Sequence, residues 1–163
     1  MKENRNEFLD ITYHTPSKLE KKGGIWLLRM GKSIAKPNYS VGPRFTDYYS
    51  LHFILEGEMI LEQSNRHYHM QAGDVFCIFP HISHRYYIAD PKQKLRFLWI
   101  SVKGNQMEGI LERVEITSQH PYQSQMFDLS LINAFEKIID AITNITYLNE
   151  LVISKLLYDL FQE

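Results

Sequence analysis

The sequence holds one cysteine, Cys77, so no internal disulfide is open to it. Cys77 lies inside the apolar run Val75-Phe76-Cys77-Ile78-Phe79 and reads as a small buried hydrophobe, as expected in a reducing compartment. A catalytic thiol needs an accessible, electropositive setting, and an apolar strand is the opposite. No basic block is present either. The 18 Lys and Arg stand against 19 Asp and Glu, for a net charge of −1. Nucleic-acid-binding modules normally show a basic face, so this stretch alone is not expected to grip DNA. The opening MKENRNEFLD has no apolar signal-peptide centre, and no apolar run is long enough to span a bilayer. A cytoplasmic protein is expected. Paired carboxylates for acid–base work are also missing: Glu56 and Glu62 are separated by a turn and read as surface charges.

Aromatic residues are plentiful, with ten Tyr, nine Phe and 13% aromatic content overall, which leans towards a β-rich fold. The 163 residues fit one folded unit with a sizeable core. Residues 1–24 are polar, with Pro16 and Gly23-Gly24 as breakers, and read as an N-terminal arm in which Phe8–Tyr13 forms a short edge strand. Residues 25–31 read as the first full strand and 36–47 as a loop rich in Pro, Gly and Ser. The organising stretch is 48–87. Here short strands are separated by Gly57, by Ser64-Asn65, by Gly73-Asp74 and by Pro80, which cannot donate to a central ladder. A further strand is expected over Lys94–Val102.

Within Tyr49–Glu56, one parity carries Tyr49, Leu51, Phe53 and Leu55; the other carries Ser50, His52, Ile54 and Glu56. Alternate strand residues face opposite sides. The first, more apolar set therefore needs a covering layer. After Gly104 the period changes. Asn105 and Glu108 have capping-box spacing, and Met107, Ile110, Leu111 and Val114 recur at helical intervals. Residues 116–127 read as a linker. Leu131, Ile132, Phe135, Ile138, Ile139 and Ile142 mark one helix, capped by Asp128 or Ser130. A second helix is expected from near Tyr147, carrying Leu148, Leu151, Val152, Leu156, Leu157, Leu160 and Phe161, with no stop signal before the last residue. That open end suggests a piece of something longer. Strands followed by helices make an α+β plan, mainly β: a barrel over 25–104 and a helical region over 105–163.

The run Tyr49-Ser-Leu-His-Phe-Ile-Leu-Glu-Gly57, then Gly73-Asp74, Phe79-Pro80 and His84-Arg-Tyr86, resembles the cupin jelly-roll β-barrel. In particular it resembles the N-terminal effector-binding and dimerisation domain of AraC-type transcription regulators, over about residues 25–163. The resemblance implies a non-enzymatic barrel that binds a small effector, often a sugar, and C-terminal helices that form a homodimer. It also implies an N-terminal arm able to fold over the barrel mouth. DNA contact would come only through a C-terminal helix-turn-helix domain, which this stretch does not contain. The resemblance places Tyr86 and Trp99 where pocket aromatics sit and Phe97 where the sugar-binding prototype has a histidine, and it matches Arg44 loosely to a sugar-gripping arginine. With the inward-parity residues Ser50, His52 and His84, these make the candidate ligand-binding set: Arg44, Ser50, His52, His84, Tyr86, Phe97 and Trp99. The plainer readings are core packing for Trp99, a solvated loop charge for Arg44 and a hydrogen-bonded core histidine for His84.

Many cupins are metal enzymes, and a stand-alone metal-dependent isomerase or dioxygenase is the alternative. In this chain the glutamate position of the first cupin motif falls on Ser50. The His-x-His positions fall on Pro43 and Phe45, or on Arg44 and Thr46. One histidine, His84, survives, and His52 is the only second ligand in view. Neither metal nor other cofactor is therefore expected. His67-Tyr68-His69 follows Gly57 instead of preceding it. It reads as two solvent-facing histidines around an inward Tyr68, and His81 reads as loop.

Overall fold

The structure is a computed structural model and describes residues 1–126, 128–144 and 149–162. Its strands are β1 (Lys2–Glu3), β2 (Glu7–Tyr13), β3 (Trp26–Ala35), β4 (Ser40–Arg44), β5 (Tyr49–Glu56), β6 (Glu58–Gln63), β7 (Arg66–Gln71), β8 (Val75–Ile78), β9 (His84–Ile88), β10 (Arg96–Lys103) and β11 (Tyr122–Gln123). Three helices are described: α1 (Met107–Glu112), α2 (Leu129–Thr143) and α3 (Asn149–Leu160). One sheet runs β1-β2-β3-β10-β5-β8-β11 and the other β4-β9-β6-β7. Every pairing is antiparallel. The fold is a mainly β, cupin-like barrel with helices at its C-terminal end.

Turn chemistry sets the strand lengths. Ser64 and Asn65 both take positive φ, 52° and 60°, the geometry of a two-residue hairpin whose twist suits its flanking strands. Gly57 separates β5 from β6 with φ +87°, and a Cβ there would lie 2.2 Å from the Lys94 carbonyl oxygen. Only glycine meets both demands.

The alternation in β5 divides the protein into two cores. Leu51 and Phe53 join Val75, Cys77, Leu98, Ile100 and Val102 on the outer face of the large sheet. Leu131, Phe135, Ile138, Ile153, Leu157 and Leu160 of α2 and α3 cover that face. The opposite parity gives the barrel interior, with Ile54, Phe76, Ile78 and Phe97 packed against Met59, Leu61, Met70, Tyr86 and Ile88. The central strands are thus apolar on both faces, because a layer covers each. Burying one such Leu, Ile or Phe contributes roughly 1.5–3 kcal/mol.

Several elements depart from the expectations above. Residues 40–44, expected as loop, form β4 on the edge of the small sheet. Val41 pairs with Tyr86, and the register shifts before Arg44. An edge strand with a register shift is where a ladder tolerates Pro43. The expected edge strand at 8–13 pairs with β3 along its length and has the short β1 outside it. The expected linker contains β11, which pairs Tyr122 with Phe76 and Gln123 with Val75. α1 starts at Met107, not at an Asn105 cap, and no capping side chain bonds at its start. Its Gln106 is committed elsewhere, its Oε1 accepting from the Tyr158 hydroxyl of α3 at 2.6 Å. Of the two expected caps, Asp128 or Ser130, it is Asp128 that caps α2, accepting from the Ser130 N–H at 2.8 Å. The expected start of the last helix, with Tyr147 and Leu148, lies outside the described residues.

Candidate functional site

One half-enclosed cavity of about 160 Å³ opens into the barrel. Six regions of chain supply its wall. β2 gives Glu7 and Ile11, β3 gives Arg29, and β4 with the residue before it gives Tyr39, Val41 and Arg44. β5 with the residue before it gives Tyr48, Ser50 and His52, β9 gives Tyr86, and β10 gives Trp99 and Ser101. Strand pairing creates this neighbourhood. In β10, Trp99 pairs with His52 on one side and Gly31 on the other, and Ser101 pairs with Ser50 and Arg29. Gly31 leaves room for the Trp99 indole, whose N–H donates to Ser33 Oγ at 3.2 Å. A Cβ at Gly31 would lie 2.5 Å from that ring.

Five of the seven residues expected at the site line the cavity: Arg44, Ser50, His52, Tyr86 and Trp99. Phe97 does not. It is 1% exposed and sits behind the wall, its ring 5.5 Å from Tyr39 and 6.0 Å from His52. Parity placed Phe97 on the inner face correctly, but the barrel interior is filled at that depth. His84 is also off the wall and acts through Arg44. Its Nδ1 donates to the Ile82 carbonyl at 3.1 Å, which leaves Nε2 to accept from Arg44 Nε at 3.4 Å. Arg44 Nη2 donates to the Tyr86 hydroxyl at 3.3 Å. At this cavity His84 is a hydrogen-bonded residue behind the wall.

Sequence reasoning missed Glu7, Ile11, Arg29, Tyr39, Val41, Tyr48 and Ser101. Arg29 carried a usable signal, since a lone charge inside the apolar run Ile25–Met30 needs a cavity or a partner. Glu7 and Ile11 share a strand parity, but nothing local says that β2 lies over the barrel.

Burial sets the electrostatics. His52 is 2% exposed, stacked on Phe76 at 4.5 Å and tilted towards Tyr86 at 4.8 Å. Burial lowers its pKa to about 3, with the nearby Arg44 and His84 acting in the same direction, so the ring is neutral. Burial also lowers the His84 pKa. It raises the Tyr86 phenol to about 12 and the Glu7 carboxyl above its ordinary value. Two buried atoms of wall residues lack a hydrogen-bond partner, Glu7 Oε2 and His52 Nδ1. Ser50 and Ser101 hydroxyls meet at 3.3 Å.

The donor set does not fit a metal centre. Both His84 nitrogens are engaged, and the Arg44 guanidinium lies where a second cation would have to sit. Among the described residues no three His, Cys, Asp or Glu side chains come together. His67 and His69 are exposed beside Glu62 and Glu58, with Tyr68 more buried between them. His81 lies in an exposed turn.

Residues 31–161 match the family model of the AraC-like ligand binding domain. The chain belongs to that family. It is 32% identical over 122 residues to the Msm operon regulatory protein of Streptococcus mutans, a match covering 75% of this chain and 44% of that protein. The AraC-like domain therefore spans less than half the length of this curated relative. Among solved structures it is similar to YhaK from Escherichia coli (17% identity, TM-score 0.49, 60% of this chain and 44% of that one). It is also similar to a cupin superfamily protein from Desulfitobacterium hafniense (17% identity, TM-score 0.44, 61% and 81%). An AraC-like ligand-binding domain is an effector-binding regulatory domain. No helix among the described residues is long and apolar enough to cross a membrane.

Proposed function

We propose that this chain is the effector-sensing and dimerisation half of an AraC-type transcription regulator, and that its effector is a sugar of about one ring. The cavity carries this reading. Its volume of about 160 Å³ is close to that of an engineered cavity of ~150 Å³ that holds one benzene ring. Its wall combines the Trp99 and Tyr86 rings with the Ser50, Ser101 and Tyr48 hydroxyls and the unpartnered polar atoms of Glu7 and His52. Flat aromatic surface packs against sugar C–H groups, and hydroxyls satisfy buried polar atoms that otherwise cost free energy. In this reading Arg44, Ser50, His52, Tyr86 and Trp99 contact the effector, and His84 and Phe97 support them from behind. The effector is bound and released, not transformed.

Dimerisation is proposed through α3, where Leu151 and Val152 are 62% and 43% exposed. DNA binding is proposed for a helix-turn-helix domain elsewhere in the full-length regulator. The relative's name, an operon regulatory protein, supports that assignment.

The test is a thermal-melt screen against monosaccharides, disaccharides and uronic acids, with and without chelator. A ligand at a hundred times its Kd stabilises by about 2.7 kcal/mol, a shift of roughly 5–10 °C for a chain of this size. A chelator-insensitive shift confined to single-ring sugars and lost in Trp99→Ala supports the proposal. A melt that drops with chelator and responds to no sugar refutes it.

A further inference from the structure

The cavity wall is not electrically balanced. Arg29 and Arg44 both line it, against a single carboxylate, Glu7. Among the described residues neither guanidinium takes part in an ion pair, whereas Arg85 and Arg96 pair with Glu62 and Glu56. The cavity arginines bond neutral groups instead. Arg29 donates to the Tyr48 hydroxyl and lies over its ring at 5.0 Å, and Arg44 donates to Tyr86 and His84. These single contacts do not use the planar fork of a guanidinium, whose matching partner is a carboxylate or phosphate held through two parallel bonds.

The wall is also graded. Arg44 is exposed and Arg29 half-buried, whereas Tyr39, Ser50, His52, Tyr86 and Ser101 are buried. The wall's polar atoms sealed from solvent without a partner are Glu7 Oε2 and the neutral His52 ring at Nδ1. A neutral sugar would satisfy those atoms and leave the arginine forks unfilled. A simple anion would fill the forks and leave those atoms orphaned. A ring with hydroxyls and one acidic group answers both demands.

We propose that the effector is a single-ring sugar bearing one anionic group, a carboxylate or a phosphate, held by Arg29 and Arg44 while its ring hydroxyls hydrogen-bond Glu7 and His52. This rests on the sugar-site reading above and narrows it. The arginines bring charge recognition at the mouth, and the buried polar atoms read the hydroxyl pattern below. Glu7 adds discrimination, since its carboxylate repels a ligand that enters acidic group first.

The experiment compares sugars that differ only at C6: glucose, glucuronate and glucose 6-phosphate, and the corresponding galactose, galacturonate and galactose 6-phosphate. Calorimetric titration of the full chain at low and high salt gives each Kd. The expected result is an acidic form binding at least tenfold tighter than its neutral partner, with the advantage shrinking as salt rises. Arg29→Gln and Arg44→Gln should each erase most of that advantage while melting like the parent without ligand. Glu7→Gln should weaken the neutral forms, and the acidic forms less, since the carboxylate's repulsion goes with its charge. Preference for the carboxylate or for the phosphate member assigns the anionic group. Neutral forms binding as tightly as acidic ones would overturn this proposal and leave the sugar reading standing. No binding of any member, in a chain that melts cooperatively, would overturn both.

Discussion

Replacing Gly31 by alanine probes how the cavity wall is built. Gly31 lies on β3 between Ile11 of β2 and Trp99 of β10. Its φ is outside the left-handed region, so alanine adds volume without backbone strain. The new methyl would lie 2.5 Å from Trp99 Cζ2 and 2.7 Å from the Asp10 carbonyl oxygen, far inside contact distance. The indole is held by its bond to Ser33, and Asp10 belongs to the neighbouring strand's backbone. Something must give: the indole leaves Ser33 and enters the cavity, or β2 separates from β3. Overpacking of this kind costs about 1–3 kcal/mol, and the lost hydrogen bond adds about 1. For a chain this long the melting temperature should fall by roughly 5–15 °C. The assay is thermal unfolding together with Trp99 emission, recorded in a Trp26→Phe background so that one indole reports. Effector affinity should fall in the same variant. The control is Gly109→Ala on α1, where an added methyl meets nothing within 4 Å and should stabilise by about 0.5–1 kcal/mol. A Gly31→Ala protein melting within about 1 °C of the parent, with unchanged Trp99 emission, would refute the reasoning.

Three further outcomes are expected. His52 has a folded pKa of about 3 against about 6.5 when unfolded. Between those values the unfolded chain holds a proton that the folded chain does not, so this contribution is complete above pH 6.5 and is lost as pH falls. Stability from His52 should drop by about 2 kcal/mol between pH 7 and pH 5; denaturant titration at both values should show a much shallower loss in His52→Phe, with a residue of slope from His84. Leu157→Ala removes a fully buried side chain joining α3 to the sheet and should cost about 2–5 kcal/mol, read as a lower urea midpoint with α3 amides exchanging first. Leu151→Glu, at an exposed apolar position of α3, should leave the melt within about 0.5 kcal/mol of the parent and turn a concentration-dependent dimer into a monomer in sedimentation velocity; an unaltered dimer would move the interface off this face.

Much of the fold was legible along the chain, but much less of the site. The turns at Gly57 and Ser64-Asn65, the helical face of Leu131, Phe135 and Ile138, and the Asp128 cap follow from local sterics and periodicity. Parity alone also separated Leu51 and Phe53, now under the helices, from His52 and Ile54, now inside the barrel. β4 was hidden because an edge strand containing Gly42-Pro43 pairs only where β9 offers a free edge. α1 starts one residue later than an Asn105 cap would place it, and the Gln106 side chain at that point bonds Tyr158, 52 residues away.

What the sequence determined by itself is the alternation: which side chains of each strand share a face, where each strand turns, and which helix face is apolar. Those properties repeat over two to four residues and depend on the backbone alone. The tertiary structure alone decided which faces meet. Glu7, Arg29, Arg44, Tyr48 and Trp99 share one cavity because β2, β3, β10 and β5 lie side by side and β4 closes over them from the other sheet. That order arises from burial of two apolar layers across distant parts of the chain, and no local period encodes it. Depth was decided in the same way. Phe97 and Trp99 have the same parity on one strand, yet packing fills the space around the first and leaves a cavity beside the second.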